Sequence, residues 1–188
     1  MRLLSFAAAA AALTLPAWTA QIPRPAPAMT IPFPDGKSAT LESYRGKVLV
    51  IEVMLTTCPA CQRASLALNQ VYSELQPKGM AVVGIAINPM ANMLIPEYIQ
   101  KFGVKFPIGF NENQDQIKDF LQHPMIQILR VPQLVFIDRK GVIRAQHGGA
   151  SDPDFFTNEE GIIKSEVEKL LAEPAPKVMT SASTAKKK

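Results

Sequence analysis

Cysteine and histidine are scarce in this chain of 188 residues, which contains two of each. Two cysteines are too few for the several disulfides that hold small exported domains together. No second close pair of Cys or His residues completes a four-ligand zinc site. Covalent haem attachment needs a histidine directly after a Cys-x-x-Cys pair, and Gln62 stands there instead. These absences leave Cys58 and Cys61 as one isolated pair.

Long hydrophobic runs are missing except at the start of the chain. There, Arg2 precedes an apolar, Ala-rich stretch over residues 3–15, and small residues follow up to Ala20. We interpret residues 1–20 as a signal peptide, with an uncleaved membrane anchor as the alternative. The stretch is shorter than the roughly 20 residues that span a bilayer, which favours cleavage. The expected location is therefore periplasmic or otherwise extracytoplasmic, with membrane contact only if this segment is retained.

An excess of positive charge is also missing from the central part of the chain. The net charge is +4, but six of the 20 basic residues and one of the 16 acidic residues lie outside residues 31–172. The central region then carries 14 basic and 15 acidic residues. A nucleic-acid-binding surface needs a concentration of basic residues, so we expect no nucleic acid among the partners.

Changes in composition mark the domain boundaries. Residues 21–30 are rich in proline and alanine and are predicted to form a linker. Residues 173–188 begin with Glu-Pro-Ala-Pro and end with three lysines, which predicts a disordered basic tail. Residues 31–172 are long enough for one domain with its own core.

Within this domain the apolar pattern alternates between strands and helices. Apolar runs and turn signals predict strands at residues 39–41, 48–55, 80–87, 106–109, 134–137 and 142–146. Helical spacing predicts helices directly after Cys61 and around residues 95–102, 117–121 and 163–171. Parallel strands joined by helices, followed by a hairpin, indicate a three-layer α/β domain with a mixed central sheet.

The cysteine pair lies between a predicted buried strand and a predicted helix. The N–H groups and the dipole at a helix N-terminus favour a thiolate at Cys58. Thiolates attack disulfides, so this position indicates thiol-disulfide exchange. A bridge from Cys58 to Cys61 closes a very small loop and stabilises the fold little, which disfavours a purely structural disulfide.

Three segments resemble the exported TlpA/ResA-type thiol-disulfide oxidoreductases. They are Gly46–Val50, Cys58–Cys61 and Val131–Gly141, and the resemblance covers roughly residues 30–172. It implies a thioredoxin-like fold with an N-terminal extension and an insertion before the strand that follows Pro132. The family works outside the cytoplasm, in agreement with the predicted signal peptide.

The resemblance also implies a role for individual residues. Cys58 is expected to attack as an exposed thiolate, and the more buried Cys61 to resolve the mixed disulfide. Pro132 corresponds to the cis-proline beside the cysteine pair, where the backbone of Val131 would pair with an incoming peptide. Glu52 aligns with the buried acid of thioredoxins, which suits it to exchange a proton with Cys61.

Two neighbouring positions are expected to contact the substrate. Thr57 stands on the substrate-facing surface where family members usually carry tryptophan, so the resemblance predicts the exchange chemistry but not the choice of partner. Pro59 is the first residue between the cysteines, as in oxidising and glutaredoxin-like relatives. We therefore predict neither the redox potential nor the net direction of exchange.

The predicted activity is exchange with protein thiols and disulfides, without cofactor or metal and with a membrane electron donor as a further candidate partner. One alternative is a peroxiredoxin-like peroxide reductase, whose family has threonine three residues before its cysteine, where Leu55 stands here. The other is a Sco-like copper-binding protein, whose cysteines are separated by three residues rather than two. Both patterns depart from this sequence.

Overall fold

The computed structural model describes residues 20–148 and 152–175. The predicted signal peptide, apart from Ala20, and the tail beyond residue 175 lie outside these described residues. The strands are β1 (Arg24–Pro25), β2 (Thr30–Pro32), β3 (Ser38–Thr40), β4 (Val48–Met54), β5 (Met80–Ala86), β6 (Ile108–Phe110), β7 (Gln133–Ile137) and β8 (Val142–Gly148). The helices are α1 (Pro59–Leu75), α2 (Ala91–Phe102), α3 (Gln114–Leu121) and α4 (Glu159–Ala172).

Six strands form one mixed sheet in the order β1-β8-β7-β4-β5-β6, and β2 pairs with β3 in a separate hairpin. Strand β4 runs parallel to β5 and antiparallel to β7. All seven residues of β4 and all seven of β5 are buried. Strands covered on both faces need continuous apolar runs, which explains why these two strands could be predicted from the sequence.

Local signals set the ends of the helices. Cys58 is the N-cap of α1, and Pro59 occupies its first turn, where the missing N–H costs no hydrogen bond. The side chains of Asn113 and Asn158 accept N–H bonds at the starts of α3 and α4. Helix α2 ends at Gly103, whose left-handed conformation suits glycine.

Two hydrophobic cores lie on opposite faces of the sheet. Helices α1, α2 and α4 pack on the face that carries Val48, Val50 and Met54. Helix α3 and residues from the β2–β3 hairpin pack on the face that carries Leu49, Ile51 and Val53. Alternate residues of β4 therefore serve different cores, and the predicted thioredoxin-like three-layer α/β arrangement is confirmed.

The segment predicted as a linker over residues 21–30 is partly docked on the domain. Arg24–Pro25 forms β1, which pairs antiparallel with β8 at the edge of the sheet. Arg24 is only 7% exposed, and its guanidinium donates to the Phe120 carbonyl and to Gln146 Oε1, each at 3.0 Å. No apolar periodicity in the sequence predicts β1. The segment is held in place by hydrogen bonds to residues about 100 positions away in sequence.

The start of the predicted tail also has partners. The Glu173 carboxylate forms an ion pair with Arg144 at 2.9 Å, and its backbone carbonyl accepts from Arg139. Among the described residues, no helix has the length and apolar character needed to cross a membrane.

Candidate active site

The cysteine pair lies at the junction of β4 and α1. Both cysteines are free thiols, and the Cys61 N–H donates to Cys58 Sγ at 3.3 Å. The Cys58 carbonyl accepts from the Gln62 N–H at 3.0 Å and so opens the helix. An N–H group directed at sulfur from the first turn of a helix stabilises the thiolate form, which is the form that attacks disulfides.

The two thiols differ sharply in access. Cys58 is half-buried and lies between the exposed side chains of Thr57 and Pro59, whereas Cys61 is 0% exposed. Burial raises the pKa of the Cys61 thiol, and the neighbouring Cys58 and Glu52 act in the same direction. Cys58 is therefore the accessible sulfur, and burial favours the protonated form of Cys61.

The loop before β7 approaches Cys58 from the side. The Val131–Pro132 peptide bond is cis, the conformation that the resemblance implies. The Val131 carbonyl lies 3.9 Å from Cys58 Sγ, where it accepts a weak hydrogen bond from the thiol. Pro132 is buried and Val131 is half-buried, so this backbone borders the reachable sulfur.

Glu52 lies on β4 on the same face as Val50 and Met54, within the core that also contains Cys61. Its Oε2 atom accepts a hydrogen bond from Ser65 Oγ at 2.8 Å, and its Oε1 atom has no hydrogen-bond partner among the described residues. Burial raises the pKa of Glu52 to about 8; the Ser65 bond opposes this shift, and the nearby Glu159 adds to it. A carboxyl group with this pKa gains and loses a proton near neutral pH.

Two residues beside Glu52 were not identified from the sequence. Ser65 Oγ lies 2.9 Å from the Tyr98 hydroxyl, and both side chains are buried. Ser65 follows Cys61 by four residues, so both lie on the same face of α1. A serine at that spacing within an otherwise apolar stripe could have identified Ser65 as a site residue. No sequence feature distinguishes Tyr98, because it fits the apolar face of α2.

Asn88 is a third residue that sequence reasoning missed. Its side-chain Oδ1 accepts hydrogen bonds from the Thr56 N–H at 3.0 Å and the Thr56 hydroxyl at 3.3 Å. Asn88 follows β5 and Thr56 follows β4, so the amide connects the loops at the ends of two parallel strands. This contact holds the backbone just before Cys58 in place.

Apolar surface lies beside the cysteine pair. A cleft of about 300 Å³ borders Val131 and is lined mainly by apolar side chains, namely Leu55, Ile87, Ile126, Ile128 and Leu129. Ile126 is 97% exposed and Ile128 86% exposed. Clustered apolar exposure of this kind is typical of protein-binding surfaces. The described residues contain no group of three or more His, Cys, Asp or Glu side chains placed to hold a metal ion.

The relatives found by sequence comparison include a thiol-disulfide oxidoreductase and a peroxiredoxin. The thiol-disulfide oxidoreductase ResA of Halalkalibacterium halodurans is 22% identical over 132 residues, which is 70% of this chain and 71% of the relative. The chloroplastic peroxiredoxin Q of Suaeda salsa is 24% identical over 135 residues, which is 71% of this chain and 62% of that relative.

Among solved structures, a thioredoxin-family thiol:disulfide interchange protein from Chlorobium tepidum matches with a TM-score of 0.65 and 23% identity, covering 81% of this chain and 99% of that one. The thioredoxin-like fold and the resemblance to TlpA/ResA-type proteins are thus confirmed. Residues 22–146 match the AhpC/TSA family. This span is more than half of the chain and contains both cysteines, Glu52 and the cis-proline. The chain therefore belongs to the AhpC/TSA family.

Proposed function

We propose that this protein is an exported thiol-disulfide oxidoreductase that exchanges a Cys58–Cys61 dithiol or disulfide with protein partners. The observation that carries the proposal is the asymmetry of the pair. One sulfur is reachable at the start of a helix, and the other is buried one turn later in the same core as an acid whose pKa is raised to about 8. A relative named as a thiol-disulfide oxidoreductase supports the same enzyme class.

In the reducing direction, the Cys58 thiolate attacks a disulfide of the partner. A mixed disulfide forms, and the partner's other sulfur leaves as a thiolate. Cys61 then loses its proton and attacks Cys58 Sγ, which breaks the bond between Cys58 and the partner. Two electrons have passed to the partner, and a Cys58–Cys61 disulfide remains. The same steps in reverse oxidise a partner dithiol.

Substrate recognition is proposed to involve Thr57, Pro59 and the Val131 backbone, with Pro132 holding that backbone beside Cys58. An extended segment of the partner would pair with the Val131 backbone as an added strand. The apolar cleft that contains Ile126 and Ile128 borders Val131 and would receive side chains of that segment. This surface supports a protein partner rather than a small thiol.

Export is proposed from the sequence of residues 1–20, with an uncleaved membrane anchor as the alternative. In an oxidising compartment, a protein that reduces disulfides must be reduced again after each cycle. A membrane electron donor is therefore proposed as its second partner.

Peroxide reduction is a second candidate, favoured by the similarity to a peroxiredoxin. Among the described residues, however, Cys58 Sγ forms hydrogen bonds with Cys61 and with the Val131 carbonyl, and neither partner offers a hydroxyl group. Peroxidases of the related fold activate their cysteine with a threonine hydroxyl, and Leu55 stands at that position. We expect thiol-disulfide exchange to exceed peroxide consumption by this protein when both are measured under the same conditions.

The test uses the matched variants C61S and C58S with a disulfide-bonded peptide, followed by mass spectrometry of the adduct. C61S is expected to accumulate a mixed disulfide on Cys58, because the resolving thiol is missing. C58S is expected to form almost none, because Cys61 is buried. Wild-type protein should release reduced peptide and hold a Cys58–Cys61 disulfide. Equal adducts on both variants, or none on C61S, would contradict the proposal.

A further inference from the structure

We infer that Ser65 and Tyr98 are positioning residues for the buried acid: their hydroxyl groups hold the Glu52 carboxyl by Oε2 and leave Oε1 to exchange a proton with Cys61. This inference rests on the proposed exchange function and concerns its second step, in which Cys61 is deprotonated. Three observations carry it: a continuous chain of hydroxyl groups, a free carboxyl oxygen and an electrostatic link to Cys61.

The hydroxyl chain spans three secondary-structure elements. Ser65 on α1 donates to Glu52 Oε2 on β4 at 2.8 Å, and the Tyr98 hydroxyl on α2 lies 2.9 Å from Ser65 Oγ. When Glu52 is ionised, the single hydroxyl proton of Ser65 is donated to its carboxylate, so the Tyr98 hydroxyl then donates to Ser65. The two bonds therefore point the same way and converge on one carboxyl oxygen, and aligned bonds of this kind reinforce each other.

The other carboxyl oxygen has no partner. Glu52 Oε1 is fully buried and accepts no hydrogen bond from any described residue. Because Oε2 already accepts the Ser65 hydroxyl, an added proton goes to Oε1, whose lone pairs are not engaged. With Oε2 held by Ser65, the carboxyl cannot turn its two oxygens freely, and Oε1 stays available.

The charged and titratable groups around Glu52 come from three helices. Cys58 caps α1 and Cys61 lies within it, Tyr98 lies on α2, and Glu159 lies at the start of α4. Negative charge on Glu52 raises the pKa of the Cys61 thiol, which links the acid electrostatically to the resolving cysteine. None of these neighbours is a cation, so Ser65 is the one described group that stabilises the carboxylate of Glu52.

The proton balance of the step is simple. In the mixed disulfide, the Cys61 thiol gives its proton to Glu52 Oε1, and the resulting thiolate attacks Cys58 Sγ. The sulfur of the partner leaves as a thiolate and takes a proton from water, while Glu52 later releases its own. Ser65 and Tyr98 neither gain nor lose a proton, and they act only through the orientation and pKa of Glu52.

The experiment measures the titration of Glu52 itself by the ¹³C chemical shift of its side-chain carboxyl in the reduced protein. The E52Q variant identifies the signal. S65A is expected to move the titration midpoint upward by about one pH unit, because the carboxylate loses the one hydrogen-bond donor that the described residues give it. Y98F is expected to move it upward by a smaller amount, because Ser65 is kept but no longer reinforced. S65T keeps a hydroxyl group and should restore the wild-type midpoint.

Matched controls make the same chemical changes elsewhere. Tyr72 packs edge-on against Phe106, and Ser73 bonds to the Asn69 carbonyl on the exposed side of α1. Neither belongs to the hydroxyl chain, so Y72F and S73A should leave the midpoint of Glu52 unchanged. In parallel, the pH dependence of the release of peptide from the mixed disulfide should move with the midpoint in S65A and Y98F.

Unchanged midpoints in both S65A and Y98F would overturn the inference, and so would shifts of equal size in the controls. Failure of this inference can be distinguished from failure of the proposed function, because different measurements test the two. The carboxyl titration needs no substrate, and the adduct test with C61S and C58S needs neither Ser65 nor Tyr98 to be changed. Should S65A fail to fold, Y98F still decides, because it removes one hydroxyl group and keeps the ring.

Discussion

Glu52 shows at the scale of one residue how a buried charge affects both stability and chemistry. Its pKa is raised from the ordinary 4.5 to about 8, first of all by burial. In the unfolded chain the carboxyl ionises at its ordinary pKa, whereas in the folded protein it stays protonated over a wider range. Folding therefore opposes ionisation between these two pKa values, and stability falls as the pH rises through this window.

The E52Q variant tests this linkage. A glutamine is neutral at all pH values, so the variant should gain stability relative to wild type as the pH rises from 5 to 8. The gain should approach ~1.4 kcal/mol for each pH unit within the window. Urea unfolding of both reduced proteins at pH 5, 6, 7 and 8 measures the difference, and contributions from Cys61 are largely shared by the two proteins.

Glu74 provides the control for this measurement. It is exposed, and its hydrogen bond with Lys164 lowers the pKa of its carboxyl, so it is ionised in both states throughout this pH range. The difference between E74Q and wild type should therefore stay constant from pH 5 to 8. A constant difference for E52Q as well would show that Glu52 ionises in the folded protein as it does in the unfolded chain.

At the scale of elements, the end of β8 determines how closely the cis-proline loop can approach the sheet. Gly148 pairs with Gln133 at the start of β7 and has a φ of +119°, which favours glycine. A Cβ atom on residue 148 would overlap the carbonyl oxygen of Pro132. Since this backbone continues into Val131 beside Cys58, the fit of two strand ends contributes to the geometry of the site.

The G148A variant is expected to be destabilised by about 2–3 kcal/mol, because it combines backbone strain with a steric overlap. It should also slow exchange, since the loop before β7 must move away from Cys58. Gly36 is the matched control: its φ is +81°, and a Cβ there would meet no atom within 4 Å. G36A should cost only about 1 kcal/mol and leave exchange unchanged. Denaturant unfolding measures the stability of the two variants, and reaction with a disulfide-bonded peptide measures their exchange rates. Equal effects of G148A and G36A would refute the steric argument.

At the scale of the whole molecule, the segment before residue 31 closes one edge of the structure. Strand β1 covers β8, the Arg24 guanidinium reaches the end of α3, and Met29 is buried in the core with Ile31 and Leu41. These contacts join residues that are far apart in sequence. The domain predicted for residues 31–172 therefore receives part of its structure from residues 21–30.

Two truncated proteins test this boundary. A protein that begins at Gln21 keeps β1 and Met29, whereas one that begins at Ile31 loses both. Burial of Met29 contributes about 2 kcal/mol, and the hydrogen bonds of Arg24 contribute about 1–2 kcal/mol more. The shorter protein should therefore unfold at a clearly lower urea concentration. Identical unfolding midpoints would show that residues 21–30 act as a linker after all.

The order of the elements from β3 to α4 and the thiol chemistry of the cysteine pair could be predicted from the sequence, whereas β1 and β2 could not. Continuous apolar runs marked β4 and β5 because both strands are covered on two faces, and Cys58 could be placed at a helix start from its neighbours alone. These signals come from residues that are close together in sequence, so they can be recognised without knowledge of the fold. The turn between β7 and β8 was predicted from a local signal of this kind.

Which residues meet around those cysteines depends on the packing of distant segments. The hydroxyl chain from Tyr98 through Ser65 to Glu52 joins α2, α1 and β4, and Asn88 links the loops that follow two parallel strands. Glu52 was singled out from the sequence, but its hydrogen-bonded partners Ser65 and Tyr98 were not. Their hydrogen bonds form because the sheet and the helices bring distant segments within 3 Å of each other, and no periodic pattern along the chain encodes that proximity.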